Sequence, residues 1–495
     1  MTKAAKREWA EYIQKSGIWD LAQWRHGCKL TKVSTLRNGN GGLVTDHADM
    51  ADLLANRFFS DNPAPVSTHF HDDPPPVAER EWAPIGSKEI GELLTKTSNT
   101  SSPGLLGIGY QLVKWGWGTI KDYIAALFNA CALLGYHPYS SRWKRAVIAV
   151  IPKPDRKDYL LPKNYRPIAL LETFGNLMAK VMAKRILADI THNNLIPTNQ
   201  FGGRNAPSCT DAGLTLIHDV TLAHRANLKC GIVLFDIRGF FDHANHVRLV
   251  SVMTELGFPQ EVHRWTKSFL KDRRVRLKFN GTLADERNLD FGTPQGSPVS
   301  PVLSAIYTSP LLHRMRGWNN SSLGMYVDDG VLFACAETWE GVTKLLRARY
   351  AVCLDWLTRA GLAIEPDRTE LLFFRKPGSC NIIPPPSRII LPDPAIKSYY
   401  VVAPTDTVRY LRFYINYKLD WSVHVNVMCN RARASIKALQ LLGNSIRGLS
   451  AADWRLVYNA VCLPVLTYGC QLWFTGQQKM LVKSYKQYKT KESRS

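Results

Sequence analysis

The chain has 495 residues, and its 63 Lys and Arg outnumber its 41 Asp and Glu, which gives a formal net charge of +22. Hydrophobic residues make up 45% of the chain and charged residues 21%, ordinary globular values that exclude a mostly disordered or fibrous chain. The basic excess is therefore a property of a folded surface, and it favours a polyanionic partner such as nucleic acid. The length allows about two to four domains.

The cysteines do not form a disulfide pattern. No Cys-x-x-Cys pair occurs, and the closest two are Cys462 and Cys470, so we expect reduced, mostly buried thiols in an intracellular protein. The first nine residues (MTKAAKREW) lack the apolar segment of a signal peptide. The most membrane-like stretch, residues 123–136, is only about 14 residues long, which is too short to cross a bilayer and predicts a core helix.

The elements predicted first along the chain are a basic helical segment and a linker. Residues 1–58 predict the helical segment, and the proline-dense stretch that follows predicts a linker or surface loop. His69, His71, Asp72 and Asp73 lie in that stretch and superficially resemble metal ligands, but no second ligand pair accompanies them. We therefore interpret them as loop residues.

Regular elements follow. Residues 146–151 predict a strand, and apolar residues at helical spacing predict a helix over 174–190. Lys153 and Arg166 stand 13 residues apart on the predicted strand and its return, where two fixed cations are suited to clamp a triphosphate. Without the acids described next, two ordinary surface cations are the preferred interpretation.

Three carboxylates carry the chemistry. Residues 231–235 predict a buried strand that ends in Asp236, and Asp328-Asp329-Gly330 between two apolar segments predicts a β-hairpin turn. Adjacent carboxylates repel each other unless a cation neutralises them. Asp236, Asp328 and Asp329 together can hold two Mg²⁺ ions about 4 Å apart, an arrangement that promotes in-line phosphoryl displacement by a hydroxyl. The alternative for the paired acids alone is a solvated turn.

A loop between the acidic segments completes the pattern. Residues 291–301 contain Gly and Pro and run into a predicted helix, with Ser300 at the N-cap and Pro301 at the first position. The exposed amides of such a loop and the side chain of Gln295 suit contacts to a sugar or a base edge. A simple connecting turn is the alternative for this loop alone.

In chain order, these segments resemble the reverse transcriptases of non-LTR (LINE-type) retrotransposons. The resemblance covers most of residues 88–475 and rests on ordered motifs, namely IPKPDRKDYLLPKNYRPIAL (151–170), NQFGGR (199–204), FDIRGFFDHANH (235–246), GTPQGSPVSPVLSAIY (292–307), YVDD (326–329), GLAIEPDRTELLFF (361–374) and RYLRFYINYKLDW (409–421). LVYNAVCLPVLTYGCQLW (456–473) resembles the thumb.

The resemblance implies an α+β right-hand polymerase fold, with fingers, a palm built on an antiparallel sheet and a helical thumb. It divides the chain into four parts, which are a basic lead and Pro-rich linker (1–87), fingers and palm (88–415, with the core motifs at about 134–415), a thumb-like region (416–475) and a Lys-rich tail (476–495).

The resemblance also implies site residues. Asp236, Asp328 and Asp329 would be catalytic and would bind the metal ions together with Ile237. The residues implied for the dNTP are Lys153 and Arg166 at the phosphates, Phe241 against the sugar 2′ position, where it favours deoxynucleotides, and Gln295 and Gly296 near the nascent base pair. Arg204, Arg409 and Tyr410 would contact nucleic acid.

The implied activity is that of an RNA-directed DNA polymerase, which adds dNTPs to a primer 3′-OH on an RNA template with two Mg²⁺ ions, or Mn²⁺. Its expected partners are the RNA template, a DNA primer or target and dNTPs, without a membrane, and its expected location is the nucleus. Two alternatives remain open. One is a catalytically inactive, truncated remnant that binds RNA, and the other is an RNA-dependent RNA polymerase.

Departures from the family pattern support the first alternative. Leu106 stands where the family usually has Asp, Arg368 where it usually has Lys, and Arg412 where it usually has Gly. We recognise neither an endonuclease ahead of the polymerase motifs nor an RNase H-like segment after them, which suggests a truncated element.

Overall fold

The computed structural model describes residues 33–59, 66, 77–138, 143–153, 158–205, 207–376, 386–393, 398–440 and 450–474. The predictions for residues 1–32, for His69, His71, Asp72 and Asp73 and for the Lys-rich tail lie outside these ranges.

The strands and α-helices of the described chain have the following bounds. The strands are β1 (Leu36–Arg37), β2 (Leu43–Val44), β3 (Arg145–Pro152), β4 (Tyr165–Leu170), β5 (Lys229–Asp236), β6 (Arg273–Phe279), β7 (Thr282–Leu289), β8 (Ser321–Tyr326), β9 (Asp329–Ala336), β10 (Glu370–Phe374), β11 (Ile389–Asp393), β12 (Ser398–Val402), β13 (Thr407–Tyr410) and β14 (Phe413–Asn416). The helices are α1 (His47–Phe58), α2 (Ser87–Thr95), α3 (Tyr110–Leu133), α4 (Thr173–His192), α5 (Cys209–Arg225), α6 (Phe240–His243), α7 (His246–Glu255), α8 (Gln260–Leu270), α9 (Ser300–Arg314), α10 (Trp339–Arg359), α11 (Ser422–Gln440), α12 (Ala451–Val457), α13 (Leu463–Leu466) and α14 (Cys470–Trp473).

The central sheet has the strand order β10-β5-β9-β8 and is antiparallel throughout. In β5, Val233 and Phe235 pack in the core that contains α9 and α10, whereas Ile232 and Leu234 pack against α5 and the β13–β14 hairpin. Because both faces are covered, the strand is an uninterrupted apolar run, and each such side chain contributes roughly 1.5–3 kcal/mol of burial. The strand predicted over 231–235 is confirmed.

A second sheet has the order β4-β3-β6-β7. Its inner face, which includes Ile148 and Val275, packs against α1. The antiparallel pairing of β3 with β4 places Ile151 opposite Arg166, which confirms the predicted strand and its return. The N–H of Ala169 donates to the carbonyl of Gln295 at 2.6 Å, and this bond ties the second sheet to the loop that precedes α9.

Some local predictions were wrong. Within the predicted helical segment 1–58, the β1–β2 hairpin precedes α1. The helix predicted over 123–136 is the longer α3, and Tyr123 on it is 78% exposed, so it is not a core helix throughout. Helix α9 begins one residue early, with Val299 at the N-cap, and the Ser300 hydroxyl donates to the carbonyl of Pro294 at 2.9 Å.

The thiol prediction is confirmed for the part of the chain that the structure describes, in which every cysteine is free and most are buried. None of the helices in those ranges combines the length and apolar character needed to cross a bilayer.

Candidate active site

Three carboxylates meet at one end of the central sheet. Asp236 ends β5 and lies directly opposite Asp329, the first residue of β9. Asp328 precedes it in the turn from β8, and its carbonyl accepts a hydrogen bond from the N–H of Ile237 at 3.0 Å. The antiparallel register therefore brings together acids that are more than 90 positions apart in the sequence.

The β8–β9 hairpin is confirmed, but its turn is not the predicted Asp-Gly pair. Tyr326 pairs with Asp329, so the turn consists of Val327 and Asp328. Val327 has φ 59°, a left-handed conformation that costs a β-branched residue roughly 1–2 kcal/mol. Gly330 lies inside β9, where the ring of Phe235 occupies the space that a Cβ would need. The Gly is thus required by packing rather than by the turn.

Residues of the NQFGGR motif support this turn. The N–H of Phe201 donates to the carbonyl of Met325 at 2.8 Å, and the N–H of Met325 donates to the carbonyl of Asn199 at 3.0 Å. A Cβ on Gly202 would lie 2.6 Å from the backbone nitrogen of Val327. The backbone hydrogen bonds of this motif therefore hold the strained turn in place. The close approach of the turn to residue 202 is possible because this residue is Gly.

Burial and mutual repulsion set the charge state of the three acids. Burial, and after it repulsion from Asp236, raises the pKa of Asp328 to about 6, while the charges of Arg166 and Arg368 oppose the shift. Burial likewise raises the pKa of Asp329 to about 7, together with repulsion from Asp328 and then Asp236. Carboxylates in this arrangement become stable as anions when a cation lies among them.

Arg368 supplies one such cation. Its Nη1 lies 2.6 Å from Oδ2 of Asp236. Burial raises the pKa of Asp236, and the charge of Arg368 is the largest opposing influence. The sequence identified Arg368 only as a departure from the family pattern, and the structure shows its contact.

Phe241, five residues after Asp236 in the chain, lies against the loop at residues 291–297. The N–H of Thr293 donates to the carbonyl of Phe241 at 2.6 Å, and the N–H of Gly292 donates to the carbonyl of Ala244 at 2.9 Å. Gly296 has φ +117°, and a Cβ there would lie 2.7 Å from the carbonyl oxygen of Ala169. These contacts bring Phe241, Gln295 and Gly296 close together, and their roles at the dNTP stay a prediction.

Sequence reasoning missed the residues that hold this loop. Arg273 is 6% exposed, and its Nη2 donates to the carbonyls of Phe291 and Gly292 at 2.6 and 2.7 Å. His246 Nε2 lies 2.7 Å from the same Gly292 carbonyl. The signal for Arg273 was available, because the alternation of apolar residues in β6 places it on the buried face with Val275.

The predicted phosphate-binding cations lie within electrostatic reach of the acids. The charge of Lys153 lowers the pKa of Asp236, and that of Arg166 lowers the pKa of Asp328, although burial raises both overall. Arg166 is exposed. Nζ of Lys153 donates to the carbonyl of Lys163 at 2.7 Å.

The three predicted nucleic-acid contacts differ in their placement. Arg409 is exposed on β13, and its charge opposes the rise in the pKa of Asp329. Tyr410 is only 2% exposed and supports the hairpin from inside, so the structure does not place it at a surface. Nη1 of Arg204 donates to the carbonyl of Pro197 at 2.9 Å, which uses its guanidinium to hold a turn.

The acids fit a divalent cation by their donor chemistry. Within the described ranges, no three His, Cys, Asp or Glu side chains are placed so that they could hold a metal ion together. Mg²⁺, however, is usually bound by one or two carboxylates and completes its shell with water and substrate phosphates. Oxygen donors that repel one another at an accessible sheet edge match that open kind of site.

Comparison with known proteins agrees with this geometry. A family model described as "Reverse transcriptase (RNA-dependent DNA polymerase)" matches residues 151–415, more than half of the chain. The chain therefore belongs to the reverse transcriptase family. This assignment confirms the predicted α+β right-hand fold, and polymerases of this family generally use divalent metal ions.

Individual relatives come from mobile elements of Drosophila melanogaster. The chain is 26% identical over 395 residues to the "Probable RNA-directed DNA polymerase from transposon X-element", which covers 79% of this chain and 41% of the relative. It is 23% identical over 470 residues to the "RNA-directed DNA polymerase from mobile element jockey", covering 92% of this chain and 49% of the relative. The chain thus spans less than half the length of these relatives, and the resemblance to non-LTR retrotransposon reverse transcriptases is confirmed.

Among solved structures, the "Structure of apo telomerase from Candida Tropicalis" is similar with a TM-score of 0.40 and 11% identity, covering 71% of this chain and 63% of that chain.

Proposed function

We propose that this chain is an RNA-directed DNA polymerase that adds dNTPs to the 3′-OH of a primer paired with an RNA template. The observation that carries the proposal is the convergence of Asp236, Asp328 and Asp329 at one sheet edge. The carboxylates, with Ile237, would hold two Mg²⁺ or Mn²⁺ ions, which when bound activate a hydroxyl and stabilise charge on phosphate oxygens.

The remaining predicted site residues bind and orient the substrates. Lys153 and Arg166 bind the triphosphate through charge, and Phe241 lies against the sugar 2′ position and excludes a ribose hydroxyl. Gln295 and Gly296 contact the nascent pair. Arg409 and the basic surface hold the nucleic-acid backbones, a contribution that weakens as salt rises.

As the sequence predicts, residues 88–415 would form the fingers and palm, and residues 416–475 the thumb-like region. Copying an element into chromosomal DNA would place the protein in the nucleus. Fluorescence microscopy of a tagged full chain tests that location.

Primer extension on an RNA template with Mg²⁺ tests the activity. Asp328→Asn keeps the size of the side chain and removes its charge, so we expect incorporation to fall about 100–1,000-fold, as for the loss of one transition-state contact. Asp285→Asn, at an exposed acid on β7, is the matched control and should retain activity. Incorporation that survives Asp328→Asn contradicts the proposal.

A second candidate is an inactive remnant that binds RNA. The contact between Arg368 and Asp236 favours it, because the cation occupies an oxygen that a metal ion needs. Salt-sensitive RNA binding without extension by the wild-type chain supports this candidate. Comparison of rNTP with dNTP incorporation tests the remaining RNA polymerase alternative.

A further inference from the structure

Helix α3 (Tyr110–Leu133) is apolar on two opposite faces. One face packs into the core of the chain through Tyr110, Val113, Phe128, Cys131 and Ala132. The other face carries large apolar side chains that are between 41% and 78% exposed, namely Leu112, Trp115, Tyr123, Leu127, Leu133 and the adjoining Leu134. Helices with apolar residues on all sides are normally buried on all sides. Within the described ranges, no segment of the chain covers this second face.

The exposed side chains form one continuous surface. With about 100° between successive helical residues, each of them lies within about 60° of Leu112 around the helix axis. Of the charged residues of the helix, Lys114 and Lys121 fall on the other side, and Asp122 borders this surface. We call the exposed face from Leu112 to Leu134 the α3 stripe, and it runs about 33 Å along the helix.

The α3 stripe is larger than an ordinary apolar surface patch. Because a whole aromatic side chain presents about 150–250 Å², the exposed parts of the six large side chains amount to roughly 700 Å². The largest apolar patch on a typical monomer measures about 300–600 Å², and a standard protein–protein interface buries about 800 Å² on each partner. The stripe therefore has the size that one protein partner covers.

The order of the residues along the α3 stripe fits a second copy of the same helix. An antiparallel copy related by a two-fold axis at Tyr123 places Leu112 opposite the second copy's Leu134, and Gly116 opposite its Ala130. The leucines then meet at the two ends, and the small residues between them let the helix axes approach closely. Tyr123 meets its own equivalent at the centre. A patch that is complementary to itself is what a two-fold dimer interface requires.

We propose that α3 is the interface of a homodimer, in which two copies of the chain pack antiparallel along the α3 stripe. None of the residues proposed for catalysis or substrate binding lies on α3, so the inference does not depend on the proposed function. Both copies are basic, and Arg264 and Lys267 lie beside Leu134 at the end of the stripe. Apolar contact therefore has to outweigh a charge repulsion that salt screens. The dimer should become tighter as the salt concentration rises, whereas association bridged by nucleic acid weakens.

Sedimentation equilibrium of the full chain, freed of nucleic acid, tests the association. Tyr123→Glu places two carboxylates side by side at the axis. It should raise the dissociation constant of the dimer at least about 30-fold, as for the loss of a central aromatic contact. Tyr399→Glu is the matched control, because Tyr399 is a 65% exposed tyrosine on β12. It should leave the dissociation constant unchanged, and circular dichroism verifies that both variants are folded.

Cross-linking with a short bismaleimide tests the two-fold geometry. Tyr123→Cys should link two copies, because a residue on the axis lies beside its own equivalent. Leu112→Cys should not link to itself, since its equivalent lies about 33 Å away along the stripe, whereas a mixture of Leu112→Cys with Leu134→Cys should link. The wild-type chain gives the background from its own cysteines. A chain that stays monomeric at every concentration, a dimer that Tyr123→Glu leaves intact, or cross-linking of Leu112→Cys to itself overturns the inference.

Discussion

Nη1 of Arg368 lies 2.6 Å from Oδ2 of Asp236, which makes this arginine the direct partner of one of the three acids. The Arg368 side chain is 48% exposed, whereas that of Asp236 is 17% exposed. An exposed guanidinium on a short turn can leave its partner at small cost. Arg368 and a divalent cation therefore compete for the same carboxylate.

This competition makes the effect of Arg368→Ala on stability depend on metal. Without metal, removal of the guanidinium leaves the repulsion among the acids uncompensated, so the Tm should fall. When Mg²⁺ or Mn²⁺ is added, the Tm of Arg368→Ala should increase by more than the Tm of the wild-type chain. In the variant the metal ion does not have to displace the Arg368 side chain from Asp236. Thermal unfolding in EDTA and over a metal titration measures both effects.

Arg238→Ala is the control for Arg368→Ala. Nε of Arg238 pairs at 3.0 Å with Oε2 of Glu365 and does not contact the three acids. Its metal-dependent increase in Tm should equal that of the wild-type chain. If Arg368→Ala also shows the wild-type increase, the competition does not exist.

Arg273 should control nucleotide selection although it touches no substrate. Its bonds to the carbonyls of Phe291 and Gly292 hold the loop that contacts the backbone of Phe241. Arg273→Met should lower kcat/KM for dNTPs by about 10–100-fold, since small misplacements at a reacting centre have effects of that size. The preference for dNTP over rNTP should fall as well, and Arg273→Lys should restore part of it.

Single-nucleotide incorporation with dNTPs and rNTPs measures this preference. Arg80→Lys is the control, because Arg80 is another partly buried arginine, which pairs with Asp189 at 2.7 Å and donates to the carbonyl of Leu256 at 2.8 Å. It should lower stability without changing the preference. An unchanged preference in Arg273→Met would leave Arg273 with a purely structural role.

The palm and its acids could be predicted from the sequence because both depend on local patterns. A strand buried on both faces is a continuous apolar run, and paired acids between apolar runs indicate a hairpin. Contacts between distant segments could not be predicted in this way. The Asp329-Gly330 pair predicts a turn at Gly330, but Gly330 lies in a strand, where the ring of Phe235 leaves no room for a side chain. Tyr410 belongs to a motif that contacts nucleic acid in the family, yet it is buried.

Arg412→Gly should stabilise the β13–β14 hairpin. Leu411 and Arg412 form its two-residue turn with φ 46° and 70°, both in the left-handed region. Gly adopts this region without steric strain, so the substitution should raise the free energy of unfolding by about 1 kcal/mol. Arg409→Gly, in the adjacent strand, should lower the free energy of unfolding. Urea unfolding of both variants measures the difference, and a destabilised Arg412→Gly would show that Arg412 makes contacts that outweigh its strain.

Buried His137 should make stability fall in mild acid. The side chain is 1% exposed and lies against the rings of Trp143, Trp265 and Phe269 at 5.6, 5.6 and 5.2 Å. Burial lowers its pKa to about 3, with Lys144 adding repulsion, against an ordinary value of 6.5. Below pH 6.5, His137 is therefore protonated in the unfolded chain but stays neutral in the folded chain. Stability is fully present above that pH and falls by about 1.4 kcal/mol per pH unit towards pH 3.

His137→Phe removes the group that takes up this proton. Between pH 6.5 and about 4, the slope of the unfolding free energy against pH should therefore decrease by up to about 1.4 kcal/mol per pH unit. Urea midpoints at pH 7.5, 6 and 5 measure the slope. His192→Phe, at an exposed position at the end of α4, is the control and should keep the wild-type slope. If His137→Phe keeps it too, then the imidazole is protonated within the folded chain, and the aromatic pocket around it must open to water at mildly acidic pH.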